Sequence, residues 1–161
     1  MTGRNRNWAQ WRLELTWCGG YIELSFQDVI LFGDADVTRW VAELELALAS
    51  FPRPTDMLLD LRGLTIAESC APYCCQQLGR LFDRHALGLA YYGASPATAA
   101  LLAPCLGPRT DQSDRIRSRS PALAVLTQQR RLRQGHVAMA HVSSDFLAGG
   151  NGWDESGAAF I

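Results

Sequence analysis

Lysine is missing from this 161-residue chain, because all 15 basic residues are arginines. Chemistry that needs a lysine amine, such as a Schiff base or a lysine-containing phosphate loop, is therefore excluded. No apolar run approaches the roughly 20 residues that cross a bilayer. The N-terminal residues 1–11 are polar and contain no apolar signal-peptide core, so we expect a cytoplasmic protein.

A net charge is nearly absent as well, because 16 acidic residues leave a balance of -1. Proteins that bind nucleic acid over their whole surface are strongly basic, so this balance argues against nucleic acid as the main partner. The five cysteines are an odd number, which favours free thiols over a disulfide framework. Hydrophobic residues make up 48% of the chain, enough to fill a core.

Hydrophobic patterning predicts an alternation of strands and helices. Strands are expected at 11–17, 21–26, 29–33, 57–61 and 87–92, and helices at about 37–48, 69–84 and 96–103, with a turn at 18–20 and a plain connection over 63–68. Asp36 or Thr38 is expected to cap the first helix, Ser69 the second and Ser95, directly before Pro96, the third. This order predicts an α/β layered fold, with a mixed, mainly parallel sheet of about five strands and helices packed against it.

The C-terminal third changes in composition. Residues 107–135 carry seven arginines and two aspartates, a local charge of +5, which is typical of a solvated surface or of a site for RNA, an acidic protein or a membrane surface. We predict a loop to residue 120 and a helix over 121–133 that Gly135 ends. That helix is expected to pack through Leu123, Leu126 and Leu132. A last strand over 136–142 and a short helix from Ser143 or Ser144 should follow.

The predicted organisation has five parts. These are a polar leader at 1–10, a core at 11–106, an Arg-rich loop and helix insertion at 107–135, the last strand and short helix of the core at 136–148, and a flexible tail at 149–161.

Three short motifs point to a family. They are Gly33-Asp34-Ala35-Asp36, the stretch from Leu58 to Ala71, and Tyr92-Gly93-Ala94-Ser95-Pro96. In order and spacing, residues 21–103 resemble a STAS domain, the fold of bacterial anti-sigma factor antagonists. The resemblance implies a sheet-and-helix fold and a regulatory role without catalysis.

The family's Asp-Ser-Ser-Gly box is altered here. Glu68 takes the place of the Asp, Ser69 of the first Ser, Cys70 of the second Ser and Ala71 of the Gly. The second Ser is the family's usual phosphorylation site, and a cysteine does not accept phosphate in that chemistry. The resemblance therefore implies that the phosphorylation switch is absent or has moved to Ser69.

A protein partner is what the resemblance implies, either an anti-sigma factor or a related serine-kinase-type regulator, and no cofactor is expected. Contact is expected at the turn before the first helix and at the N-terminus of the second, where Tyr73 should be partly exposed. The expected contact residues are Asp34, Asp36, Glu68, Ser69, Cys70, Pro72 and Tyr73.

Other functions stay open at this point. Some STAS-type proteins are accessory subunits of lipid-transporting ABC systems. A thiol redox sensor that uses Cys70 is another alternative, because a helix N-terminus lowers the pKa of a thiol. A small α/β enzyme could use carboxylates near strand ends, although there is no Gly-x-Ser-x-Gly nucleophile motif. Those carboxylates are Asp34, Asp36, Asp60 and Glu68.

A metal site is not expected. The three thiols at 70, 74 and 75 lie on one predicted helix, and one helix face cannot supply a tetrahedral set of ligands. Histidines at 85, 136 and 141 could complete such a set, but no Cys-x-x-Cys pair is present.

Overall fold

A computed structural model of the chain describes residues 6–7, 12–51, 53–106 and 118–148, with side chains described between residues 13 and 135 of this set. Eleven helices and strands and one short 3-10 helix follow each other along these residues. They are β1 (Arg6–Asn7), β2 (Arg12–Trp17), β3 (Tyr21–Gln27), β4 (Val29–Leu31), α1 (Asp34–Leu48), β5 (Thr55–Asp60), β6 (Leu64–Ile66), a 3-10 helix (Glu68–Cys70), α2 (Ala71–His85), β7 (Ala86–Tyr92), α3 (Pro96–Leu106) and α4 (Arg119–Ala148).

The main sheet has the order β1-β2-β3-β5-β7. Strands β1, β2 and β3 pair antiparallel, whereas β3, β5 and β7 pair parallel. This confirms the predicted α/β fold with a mixed sheet of about five strands and helices packed against it. Strand β1 falls within the predicted polar leader, which is therefore not free of regular structure.

A second, two-stranded sheet joins β4 and β6 in parallel. The prediction of a plain connection over 63–68 is wrong, because Leu64–Ile66 forms a strand. In both strands the outer two residues are buried and the middle one is exposed. Three residues are too few for that alternation to stand out in a sequence, and the pairing depends on a partner 35 residues away.

The turn between β2 and β3 contains the glycine pair Gly19–Gly20, as predicted. Gly19 and Gly20 have φ angles of 65° and 134°, which a residue with a side chain rarely adopts. The Cys18 amide donates to the Tyr21 carbonyl at 2.9 Å and closes the turn. This hairpin places β3 beside β5 at the centre of the sheet.

Helices α1, α2 and α3 cover one face of the main sheet and enclose the large core. The apolar stripes of α1 and α2 are buried, except that Cys75 of α2 is only partly buried, and the Phe26 and Trp40 rings meet edge to face at 5.3 Å. The predicted caps of α1 and α2 are wrong, because neither N-terminus has a side-chain cap. The cap of α3 is confirmed: the Ser95 hydroxyl accepts from the Thr98 amide at 3.1 Å.

Helix α4 packs against the opposite face of the sheet, through a small cluster of Leu58, Ala90, Tyr92, Ala122 and Leu126. Leu126 is buried as predicted, whereas Leu123 is only partly buried and Leu132 is 54% exposed. At Gly88 of β7, an added Cβ would lie 2.6 Å from Arg133 Nη1 and 3.0 Å from Gln129 Oε1 of α4, so the missing side chain lets α4 approach the sheet.

The C-terminal prediction needs correction. Residues 136–142 continue α4 instead of forming a last strand, and neither Gly135 nor Ser143 starts or ends an element. A glycine inside a helix costs about 1 kcal/mol relative to alanine, a cost that a 30-residue helix can absorb. The predicted loop lies outside the described residues over 107–117, as does the predicted tail at 149–161.

Candidate functional site

Two chain segments that the resemblance singles out come together beside the small sheet. Leu31 at the end of β4 pairs with Ile66 at the end of β6. One step further along, the Ala67 amide donates to the Leu31 carbonyl at 2.9 Å. The chain therefore leaves both strands at the same edge, towards α1 in one case and towards the 3-10 helix and α2 in the other.

The starts of α1 and α2 are tied to each other. Thr38 Oγ1 in α1 and Tyr73 Oη in α2 lie 3.1 Å apart in a hydrogen bond. Within the first of the two segments, the Phe32 amide donates to Asp36 Oδ2 at 3.1 Å. Two helix N-termini consequently lie side by side at one end of the molecule, and we call residues 30–36 together with residues 65–73 the junction surface.

Most of the predicted contact residues are accessible on the junction surface. The side chains of Asp36 and Tyr73 are half-buried, which confirms the predicted partial exposure of Tyr73. Four others are exposed: Asp34, Glu68, Ser69 and Pro72.

Cys70 is the exception, since it is only 1% exposed. Its thiol donates to the carbonyls of Leu31 and Ala67, both at 3.4 Å. As the chain is folded here, Cys70 cannot touch a partner, and it serves to join β4 to the start of α2. Sequence reasoning placed it on the surface because the corresponding serine of the family is a modification site.

The expected low pKa of Cys70 is also wrong. Burial raises the pKa of this thiol, and the carboxylates of Asp34 and Asp36 raise it further. The helix N-terminus favours the thiolate, but loss of hydration outweighs that effect. Cys70 is therefore a poor candidate for the reactive thiol of a redox sensor.

Ser69 is not a helix cap, although the sequence suggested it. It lies inside the 3-10 helix Glu68–Cys70, and Cys70 occupies the N-cap position of α2. The exposed Ser69 hydroxyl thus carries no capping role, which leaves it accessible to a modifying enzyme.

Phe32 is the feature that sequence reasoning missed. Its side chain is 72% exposed, and Ile30 two residues earlier is 45% exposed. The alternation of β4 continues through Phe32, so the buried Val29 and Leu31 alternate with outward Ile30 and Phe32. A large apolar ring held outward beside two helix starts is typical of a binding surface.

The junction surface is also acidic. Asp34 and Glu68 are exposed and Asp36 is half-buried. Carboxylates near helix N-termini are stabilised by the helix dipole, so these charges are compatible with the local fold. An apolar ring surrounded by carboxylates fits a partner with an apolar pocket and basic residues around it.

The fourth carboxylate of the enzyme alternative belongs to a different group of side chains. Asp60 is 5% exposed at the end of β5 and binds Arg62 at 2.5 Å. Burial raises the pKa of Asp60, but the hydrogen bonds from Arg62 outweigh it and hold the pKa below its usual value. The structure brings Asp34, Asp36 and Glu68 to one surface and does not add Asp60 to them.

Neither a metal site nor a membrane span is found in the part of the chain that the structure describes. Within it, no three side chains of His, Cys, Asp or Glu are grouped so that they could hold a metal ion. His136 and His141 have no described side chains. Among the described helices, none is both long and apolar enough to cross a membrane.

The chain matches no model of a known protein family, and a search of curated proteins finds no relative.

Proposed function

We propose that this chain is a non-enzymatic, cytoplasmic interaction domain that regulates a protein partner, in the manner of an anti-sigma factor antagonist. The partner is an anti-sigma factor or a related serine-kinase-type regulator. It binds the junction surface, with Phe32 as the apolar anchor and Asp34, Asp36 and Glu68 around it.

The observation that carries this proposal is the convergence of two distant segments. Residues 33–36 and 68–73 are separated by a helix and two strands, yet the β4–β6 pairing brings them to one edge. The family resemblance singles out both segments from the sequence alone. Their meeting beside an exposed aromatic ring supports a partner surface at this place.

The charge of the junction surface and the burial of Cys70 narrow the class of partner that we expect. The exposed carboxylates of the junction surface favour a basic contact region on the other protein. Cys70 cannot carry the phosphate switch, and its thiol is engaged with two carbonyls. A phosphate on the exposed Ser69 would add negative charge to an already acidic surface and would change the partner's affinity through electrostatics.

Affinity capture with the tagged full chain from a lysate of its native host, followed by mass spectrometry, tests the proposal. We expect an anti-sigma factor or a serine-kinase-type regulator to be enriched. Phe32→Ala should weaken its binding by about 10-fold or more, because an aromatic anchor at an interface commonly contributes about 1.4 kcal/mol or more, which is a factor of 10. Asp34→Arg should weaken it as well, by placing a positive charge against a basic partner.

Leu87→Ala is the matched control. Leu87 is 58% exposed on β7, away from the junction surface, so its loss should leave partner binding unchanged. Enrichment of an ABC ATPase would favour the accessory-subunit alternative. Binding that Leu87→Ala weakens and Phe32→Ala does not would show that the contact surface lies elsewhere.

A further inference from the structure

Two cysteines from different helices meet where α2 packs against α3. Cys75 in α2 donates its thiol hydrogen to the Leu101 carbonyl of α3 at 3.2 Å. Cys105 in α3 donates to the next carbonyl, that of Leu102, also at 3.2 Å. The two thiols therefore lie on consecutive carbonyls of one helix. Burial raises the pKa of Cys105, and the neighbouring Cys75 thiol raises it further.

We propose that Cys75 and Cys105 are a modification site, at which a hydroperoxide forms an intramolecular disulfide between α2 and α3. The inference does not rest on the proposed function. It uses only the placement of both thiols on neighbouring carbonyls of α3 and the difference in their access to solvent.

The chemistry balances with hydrogen peroxide as the oxidant. The Cys75 thiol loses its proton, and its sulfur attacks a peroxide oxygen. The O–O bond breaks, giving a sulfenic acid and a hydroxide that takes up the proton to become water. The Cys105 sulfur then attacks the Cys75 sulfur, and the S–O bond breaks to release a second water. Two thiols lose two electrons and two protons in total, and the peroxide is reduced to two waters.

Access to solvent assigns the two roles. Cys75 is half-buried and can meet a small oxidant, whereas Cys105 is only 9% exposed. Burial raises the pKa of Cys105, which keeps it a thiol until its neighbour is oxidised. Cys75 therefore reacts first with the oxidant, and Cys105 resolves the sulfenic acid.

The other cysteines are less suited. Cys74 is fully buried, and burial raises its pKa to about 12. Cys70 is bound to the Leu31 and Ala67 carbonyls. Cys18 lies at the β2–β3 turn, with its thiol directed at Glu23. Each of these three provides a control whose removal should leave the disulfide intact.

Thiol counting tests the proposal on the full chain. The protein is treated with hydrogen peroxide, denatured and alkylated, and its intact mass is measured. Reduced protein takes up five alkyl groups, and oxidised protein should take up two fewer. Cleavage after arginine should give fragments 63–80 and 85–109 as one linked species that dithiothreitol separates.

Single Cys→Ser variants identify the two cysteines that form the disulfide. Cys75→Ser and Cys105→Ser should each abolish the linked species, while Cys74→Ser and Cys18→Ser should retain it. Tandem mass spectrometry of the wild-type linked species distinguishes Cys74 from Cys75 without any variant, so a variant that fails to fold does not decide the outcome. Absence of the link, a link through Cys74, or a gain of two oxygens on Cys75 in place of a link would each overturn the proposal.

Discussion

The two faces of the central sheet are held by different forces. Helices α1, α2 and α3 cover one face with a continuous apolar core. Helix α4 covers the other face, and among its described side chains, up to residue 135, Ala122 and Leu126 belong to the small cluster there. The first face therefore depends on burial of apolar surface, and the second must draw on polar contacts.

Arginine–carboxylate pairs supply those polar contacts. Arg130 binds the Asp56 carboxylate at 2.7 Å, and Arg133 binds its other oxygen. At the start of α4, Arg119 holds both oxygens of Glu23, with closest approaches of 2.8 Å. Asp56 and Glu23 are largely buried on the sheet, whereas the three arginines reach them from the solvent side.

Gln129 adds a contact of another kind. Its side-chain amide donates to the Leu89 carbonyl and accepts from the Leu89 amide, both at 3.2 Å. Leu89 lies in β7, the last strand in the order of the sheet. An edge strand offers unpaired backbone groups to other chains, and Gln129 occupies them at this residue. One sheet thus uses hydrophobic burial on one face and charge pairing on the other.

The largest change in the free energy of unfolding is expected from two adjacent residues of β5 that point to opposite faces of the sheet. Leu59 belongs to the large core and Leu58 to the α4 cluster. Leu59→Ala should lower the free energy of unfolding by about 2–5 kcal/mol, because the surrounding core cannot collapse onto the cavity. Leu58→Ala should cost about 2–3 kcal/mol, since a helix held by few apolar contacts can shift inward. Urea denaturation measures both free energies of unfolding. A larger loss of stability for Leu58→Ala than for Leu59→Ala would contradict the proposed difference between the two faces of the sheet.

The next largest change in stability is expected from the ion pairs that hold α4 to the sheet through Asp56. Asp56→Asn should cost about 1–3 kcal/mol, because the variant removes the charge that binds Arg130 and Arg133. Amide hydrogen exchange should become faster over residues 119–135 and remain unchanged in α1.

Asp60→Asn provides the control for that measurement. Asp60 is buried on the same strand but pairs with Arg62, outside α4, so its loss should leave exchange in α4 unaltered. Equal acceleration in both variants would mean that Asp56 acts on β5 as a whole and not on α4.

The smallest expected change is a pH dependence of the stability that Glu23 contributes. The hydrogen bonds from Arg119 hold the pKa of this carboxyl below its ordinary value of 4.5. Its stabilising contribution is therefore fully present above about pH 4.5 and is lost as the pH falls through the lower value of the folded state. The stability gap between wild type and Glu23→Gln should narrow as the pH drops from about 7 to about 3. A gap that stays constant over this range would show that charge pairing does not hold the start of α4.

Much of the fold followed from local patterns. The apolar run over 57–61 and the stripe of α2 predicted a buried strand and a helix, because burial on one or both faces leaves a periodic mark in the sequence. Ser95-Pro96 predicted the start of α3 through a cap and a fixed φ angle. The glycine pair at 19–20 predicted the turn that makes β3 central.

The candidate site was only partly predictable. Motif resemblance selected Asp34, Asp36 and residues 68–73, but it could not show that Cys70 is buried or that Phe32 is exposed. Both facts depend on the β4–β6 pairing, a contact between segments 35 residues apart. A side chain's exposure is set by what packs against it, and three-residue strands carry too little pattern to reveal that.

Sequence alone was sufficient for the order of the elements from β2 to α3, apart from the short strand β6, and for the apolar residues of each, since propensity and periodicity act over a few neighbouring residues. Three features depend on tertiary structure: the meeting of the starts of α1 and α2, the placement of the Cys75 thiol beside Cys105 on α3, and the pairing of α4 arginines with Asp56 and Glu23. Each joins side chains from different elements across the fold. Such contacts form only where the packing of whole layers brings the groups within a few ångströms, and no local pattern records that distance.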